Sequence, residues 1–131
     1  MRYAAIDIGS NAVRLMIADV IEDDETGNST YKKTTLIRVP LRLGDNAFLD
    51  KKISDKKAEE LTKTMLAFKN LMEVYKVKDY MACGTSALRE AKNGPELVKK
   101  IKKQVGIDIE IVEGGKEASI IYSNHIAEAL E

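Results

Sequence analysis

The sequence has no tryptophan, one cysteine, one histidine and two prolines among its 131 residues. The single cysteine, Cys83, excludes an internal disulfide and fits a reducing compartment. The single histidine, His125, excludes a metal site built from several histidines. No apolar run approaches the about 20 residues that span a bilayer, and the N-terminus lacks the layout of a signal peptide. We therefore expect a cytoplasmic protein with no membrane partner.

An excess of either charge is also missing, because 21 Lys and Arg residues balance 21 Asp and Glu residues. The overall charge indicates no specific nucleic-acid binding, so an anion site would have to come from a local arrangement of donors. Hydrophobic residues make up 44% of the chain and charged residues 32%, which is typical of a globular domain. The length suits one domain with a single core.

Hydrophobic patterning predicts five strands and three helices in the order β-β-β-α-β-α-β-α. The strands are predicted over Arg2–Ile8, Ala12–Ile21, Tyr31–Leu43, Asp79–Gly84 and Ile107–Val112. The helices are predicted to begin at Ser54, at Pro95 and near Gly115. An antiparallel meander followed by crossovers gives an α/β fold with a mixed five-stranded sheet and helices on its faces, in the order of the ribonuclease H-like fold.

The segment DIGSNAVRL, which runs from Asp7 to Leu15, contains more polar chemistry than a plain turn needs. Successive amides at Gly9, Ser10 and Asn11 are able to form an anion-binding turn. Arg14 follows as a planar clamp for a phosphate, and Asp7 would orient a hydrated metal ion or a water. Gly, Ser and Asn are also common in ordinary hairpins, so this segment alone leaves both interpretations open.

The segment GTSALREAKNG, Gly84–Gly94, follows a strand and opens a helix. Thr85 and Ser86 stand where helix N-termini attract anions, and Arg89 lies far enough along to turn back toward them. A capped helix with a surface arginine is the alternative. Cys83 and Arg89 also have the C-x5-R spacing of the cysteine phosphatases, in which a thiolate attacks phosphorus. Because Cys83 continues an apolar strand, a buried thiol is the favoured interpretation.

The segment VEGGKEASIIY, Val112–Tyr122, places two glycines before a predicted helix whose first turn contains Glu117. The helix dipole favours an acid at this position without any catalytic role. The functional alternative is a carboxylate directed into a cleft, where it would act as a general base for water.

Together and in this order, four segments resemble the exopolyphosphatase and guanosine pentaphosphate phosphohydrolase family; they are DIGSNAVRL, RVPLRLGD, GTSALREAKNG and IEIVEGGKEASIIYSN. The family belongs to the superfamily of actin, the sugar kinases and the large heat-shock chaperones. The resemblance therefore implies an actin-like ATPase domain. It also implies a hydrolase that uses Mg²⁺ and releases the terminal phosphate of inorganic polyphosphate, of guanosine pentaphosphate, or of both.

The resemblance further implies roles for individual residues. Glu117 matches the family's catalytic glutamate, the proposed base for the attacking water. The residues that would line the first phosphate loop and then the second phosphate-binding edge are Gly9, Ser10, Asn11 and Arg14, followed by Thr85, Ser86 and Arg89.

Three positions depart from the family pattern. Ala12 stands where Ser or Thr is frequent, Lys116 where an acid commonly precedes the glutamate, and Ser119 where arginine is common. These changes bear on substrate preference and rate more than on the fold.

The second lobe of the family carries a further phosphate loop, D-x-G-G-G-S, and no such stretch occurs here. We expect residues 1–131 to be the N-terminal lobe, with the second lobe or a second copy of the chain as its protein partner and with little activity alone. A non-catalytic module that binds polyphosphate or a guanosine alarmone through the same loops is the alternative function. A cysteine phosphatase using Cys83 and Arg89 is the less favoured one.

Overall fold

The computed structural model describes residues 1–22, 25–27, 29–45 and 51–112, which form a mixed five-stranded sheet and three helices. The strands are β1 (Arg2–Ile8), β2 (Val13–Glu22), β3 (Ser29–Val39), β4 (Asp79–Gly84) and β5 (Ile109–Ile111). The helices are α1 (Asp55–Val74), α2 (Ser86–Glu90) and α3 (Gly94–Gln104). The expected α/β class with a mixed sheet is confirmed.

The strand order across the sheet is β3-β2-β1-β4-β5. The first three strands form an antiparallel meander, whereas β1, β4 and β5 run parallel to one another. Because β1 stands between an antiparallel and a parallel neighbour, the direction of the connections changes at this strand.

Alternation along β1 assigns the two faces of the sheet. Ile6 and Ile8 are fully buried in the main core, which also contains Phe68 of α1 and Ile101 of α3. Successive side chains in a strand point to opposite faces, so Asp7 lies on the other face. A smaller apolar cluster on that side contains Ala5, Cys83 and Val112, with Met16 and Met81 packed against it.

Residue types that favour helix ends lie at the observed boundaries of α1 and α3. Ser54 caps α1, and its hydroxyl oxygen accepts a hydrogen bond from the Lys57 amide at 3.2 Å. Pro95 lies in the first turn of α3, where a missing N–H costs nothing. Gly106 follows α3 with a φ of 88°, a left-handed conformation that glycine adopts without a steric penalty. None of the described helices is long and apolar enough to cross a membrane.

The structure differs from the sequence-based expectation in two strands and in one additional helix. β3 ends at Val39 and not at Leu43, because Pro40 has no N–H to donate to the sheet. A separate five-residue helix, α2, precedes α3, and β5 is shorter than the predicted strand. The last predicted helix, from Gly115, lies outside the described residues.

Two leucines on α1 provide a matched test of where the core lies. Leu61 is fully buried, whereas Leu66 is 47% exposed. We expect Leu61→Ala to lower the free energy of unfolding by about 2–5 kcal/mol and Leu66→Ala by less than about 1 kcal/mol. Urea unfolding followed by circular dichroism measures both, and equal losses would contradict the assigned core face.

Candidate anion-binding site

The candidate site lies at the edge of the sheet where three parallel strands end. β1 ends at Ile8, β4 at Gly84 and β5 at Ile111. In open α/β sheets, ligands bind beyond the carboxyl ends of the strands, at the point where the connections diverge. The first two predicted segments leave the sheet at this edge, one from β1 and the other from β4.

Two hydrogen-bonded contacts join these segments. The carbonyl oxygen of Ile8 accepts hydrogen bonds from the Thr85 amide at 3.1 Å and from the Thr85 hydroxyl at 3.3 Å. The Ser10 and Ser86 hydroxyl oxygens lie 2.7 Å apart. Thr85 is buried and uses both of its donors to hold the strand ends together, whereas Ser10 and Ser86 are partly accessible. The structure therefore brings the two predicted loops together. The surface between residues 9–12 and Ser86 is called the mouth of the site below.

In the first loop, residues 9–12, the carbonyl groups of Ser10 and Asn11 are hydrogen-bonded, whereas their amide groups are not hydrogen-bonded to any described residue. The carbonyl oxygens of Ser10 and Asn11 accept hydrogen bonds from the Gly44 amide at 2.8 Å and from the Arg42 amide at 3.0 Å. No residue in the described part of the chain accepts a hydrogen bond from the amides of Ser10 or Asn11. Occupied carbonyls and unused amides are the combination that an anion-binding turn requires.

The segment 41–44 holds the first loop, and sequence reasoning assigned it no such role. Arg42 adopts a φ of 56°, which non-glycine residues rarely do, and its guanidinium pairs with Asp45 at 3.1 Å. Leu41 and Leu43 on either side are buried in the main core. The RVPLRLGD match contained the signal, because apolar residues that continue past Pro40 indicate a buried segment after the strand.

Asp7 and Arg14 stand side by side on β1 and β2, next to the loop. Their Cα atoms are register partners, and Arg14 Nη2 donates to Asp7 Oδ2 at 3.2 Å. Burial raises the pKa of the Asp7 carboxyl above its ordinary range, and the Arg14 guanidinium beside it opposes that rise. The Arg14 side chain is 55% exposed, so donors not used by Asp7 remain accessible to a ligand.

Arg89 occupies a different position, beside the end of β5. Its Nη1 lies 3.4 Å from the carbonyl oxygen of Val112, to which it donates, and the Val112 amide donates to the Gly84 carbonyl at 2.9 Å. A Cβ at Gly84 would meet the tip of the buried Leu88 side chain, so a larger residue there would require that side chain to shift. Arg89 thus anchors the chain where it leaves β5, and no hydrogen bond within the described ranges joins its guanidinium to the first loop.

Two further predicted residues have contrasting outcomes. Cys83 is fully buried within β4, which argues against an accessible nucleophilic thiolate. Glu117 lies outside the described residues, so its role as a base stays a prediction. Within the described ranges, no cluster of three or more acidic, histidine or cysteine side chains forms a ready metal site.

The site supplies hydrogen-bond donors with little opposing negative charge. These donors are the two unused amides of the first loop, the hydroxyl of the Ser10–Ser86 pair whose hydrogen is not used within the pair, and the accessible face of Arg14. Such donors stabilise a multiply charged oxyanion and the charge that develops on it during transfer.

Comparison with known proteins places these features in a family context. The model of the Ppx/GppA phosphatase family matches residues 23–130. The chain is similar to a bifunctional 3-dehydroquinate synthase/phosphatase of Fusobacterium nucleatum, with 31% identity over 95% of this chain and 19% of that protein. It is also similar to exopolyphosphatase 1 of Mycobacterium tuberculosis, with 27% identity over 93% of this chain and 34% of that protein.

A solved structure shares the fold. The crystal structure of the Aquifex aeolicus member of the Ppx/GppA protein family superposes with a TM-score of 0.79 and 30% identity. The match covers 89% of this chain and 36% of that one. The chain therefore spans about a third or less of the length of these relatives, and the expected actin-like ATPase fold is confirmed.

Two aspartates that each pair with an arginine are expected to respond to pH in opposite directions. Because burial raises the folded-state pKa of Asp7, the stability supplied by its protonated form is complete below the unfolded pKa of about 3.9 and is lost as pH rises through the folded pKa. We expect Asp7→Asn to unfold at higher urea concentration than the parent at neutral pH, with the difference shrinking as pH falls toward the unfolded value.

Asp19→Asn is the matched control. The hydrogen bond from Arg2 lowers the pKa of Asp19, so its ionised form supplies stability that is present above the unfolded pKa and lost as pH falls through the folded one. This variant is expected to be less stable than the parent at neutral pH. Urea unfolding across a pH series in metal-free buffer compares the two, and a change of the same sign in both would contradict the assignment.

Proposed function

The chain belongs to the Ppx/GppA phosphatase family, and from that premise we propose that it supplies one phosphate-binding half of a phosphohydrolase site. The proposed reaction releases terminal orthophosphate from inorganic polyphosphate, guanosine pentaphosphate, or both. The observation that carries the proposal is the 2.7 Å contact between the Ser10 and Ser86 hydroxyls, because it joins two separate loops into one donor-rich mouth.

In this proposal the donors hold the terminal phosphate in place. The Ser10 and Asn11 amides and the available hydroxyl of the serine pair bind its oxygens from the sheet side, and Arg14 clamps them from β2. Phosphoryl transfer needs little covalent help from a protein, so positioning and charge stabilisation account for most of the catalysis. These residues are therefore sufficient for one side of the cleft.

Glu117 is proposed as the base that takes a proton from the attacking water. Val112 is hydrogen-bonded to both Gly84 and Arg89. These bonds hold Val112, from which the chain continues to Glu117, beside the second loop. Glu117 follows Val112 by five residues, so its Cα lies at most about 18 Å from that anchor. This distance is compatible with a base at the mouth.

Mg²⁺ is proposed as the cofactor, with Asp7 as its protein ligand. Mg²⁺ is commonly held by only one or two carboxylates together with waters and substrate phosphates, so a single carboxylate at the mouth fits this donor set. The half-buried position of Asp7 disfavours its negative charge, so further positive charge beside the carboxylate is favoured in addition to that of Arg14. When bound, the ion would neutralise charge on the phosphates.

The opposite side of the cleft is proposed to come from a second lobe, since relatives are about three times as long as this chain or longer. One half of a cleft contacts a phosphate from one side only. We therefore expect the chain alone to bind phosphates weakly.

Replacement of Arg14 tests phosphate binding. We expect Arg14→Ala to weaken the binding of tripolyphosphate about tenfold, because one charge-assisted clamp is lost. Arg2→Ala is the control, since Arg2 also pairs with an aspartate but does so at the opposite end of β1. Titration calorimetry on the folded variants measures both affinities. Equal weakening by the two would indicate general charge attraction and would contradict the site.

Replacement of Glu117 separates a hydrolase from a binding module. In the protein that contains this chain together with a second lobe, Glu117→Gln is expected to lower orthophosphate release from polyphosphate about a hundred- to ten-thousand-fold. The matched variant Glu128→Gln, in the same C-terminal stretch, is expected to leave the rate unchanged. Tight polyphosphate binding without release by the parent protein would instead support the non-catalytic module.

A further inference from the structure

A row of charged and polar residues crosses the sheet at the level of Asp7. Register pairing aligns its members from one edge of the sheet to the other; they are Arg38, Arg14, Asp7, Cys83 and Glu110. Residues that are directly opposite in neighbouring strands share one face, so this row lies on the face away from the main core. Its two arginines are adjacent, on β2 and β3.

We propose that Arg38 is a second arginine of the anion site and holds the next phosphate along a chain whose terminal phosphate sits at the loop of residues 9–12. The inference rests on the proposed function, since it extends the same site. It assigns to Arg38 the preference for a chain of phosphates over a single one.

The direct opposition of Arg14 and Arg38 is the first observation. Their Cα atoms are register partners in the antiparallel β2–β3 pair, which places the Cβ atoms about 5 Å apart. Like charges in directly opposite positions destabilise a sheet. An anion that contacts both guanidinium groups would convert this repulsion into two attractive interactions.

The charge balance around the pair is the second observation. Asp7 pairs with Arg14 at 3.2 Å, and no carboxylate in the described part of the chain forms an ion pair with Arg38. Glu110, the other acid of the row, lies beyond β1 and β4 and so is three strands away from Arg14. The β2–β3 end of the row is therefore positive, although the chain as a whole has no net charge.

The position of β3 gives the direction in which a phosphate chain would extend. β3 is an edge strand of the sheet, and Arg38 is exposed on it one residue before the strand ends. A ligand anchored at the loop would pass Arg14 on β2 and then reach Arg38 on the neighbouring strand, about 5 Å further on. The planar guanidinium fork binds phosphate oxygens in pairs, which suits this role.

The test compares the affinities of orthophosphate and tripolyphosphate for the chain and its variants by nuclear magnetic resonance titration. Arg38→Ala is expected to weaken tripolyphosphate binding about five- to tenfold and to change orthophosphate binding less than about twofold. Arg38→Lys is expected to restore part of the loss, because it keeps the charge without the fork. Lys33→Ala is the matched control, since Lys33 is exposed on the same strand and face, in the middle of β3 and away from the loop.

Two outcomes would overturn the inference. If Arg38→Ala behaves like Lys33→Ala, Arg38 is only a charge on an edge strand, where charged side chains discourage edge-to-edge pairing. If the variant weakens the binding of both ligands equally, Arg38 contacts the terminal phosphate and does not discriminate by chain length. Arg14→Ala distinguishes these results from failure of the proposed function, because an unchanged affinity for both ligands in that variant would remove the site itself.

Discussion

The carbonyl oxygen of Ile8 is the atom on which the candidate site depends. It accepts hydrogen bonds from both donors of Thr85, and so it joins the end of the central strand β1 to the end of its parallel neighbour β4. Parallel pairing aligns strand ends only if the registers agree, and this two-donor contact holds the register where the strands stop. The Ser10–Ser86 contact then follows, because each serine comes one or two residues after the joined positions.

A second constraint, the pairing of the loop carbonyls, makes the site favour an anion. A free turn presents carbonyl oxygens as well as amides, and the carbonyls would repel a phosphate. Here the segment 41–44 occupies the carbonyls of Ser10 and Asn11, at the cost of a left-handed backbone at Arg42. The buried side chains of Leu41 and Leu43 hold this segment in place. The main core thus stabilises a loop conformation whose remaining groups are donors.

The sequence predicted the strands, the long helix α1 and the class of the fold because alternation and helical spacing extend over many residues in each. It placed a helix start at Thr85 and Ser86 but did not predict that α2 is separate from α3, since five residues are too few to display a helical period. It extended β3 to Leu43 because apolar residues continue to alternate there, although Pro40 ends the hydrogen-bonded strand. The residues of the first two loops were singled out by their chemistry, and the structure places Ser10 of the first loop 2.7 Å from Ser86 of the second.

The contribution of the segment 41–44 and the alignment of Arg38 with Arg14 were beyond sequence reasoning for a physical reason. Both depend on which residues face each other across strands, and register is set by hydrogen bonds between distant parts of the chain. The chain has equal numbers of positive and negative groups, but this does not exclude an anion site, because register decides which charges lie side by side. What matters is that Asp7 is half-buried and paired with Arg14, while the neighbouring strand adds a further arginine and no acid in that row. Local register, and not overall charge, therefore produces the positive field at this edge of the sheet.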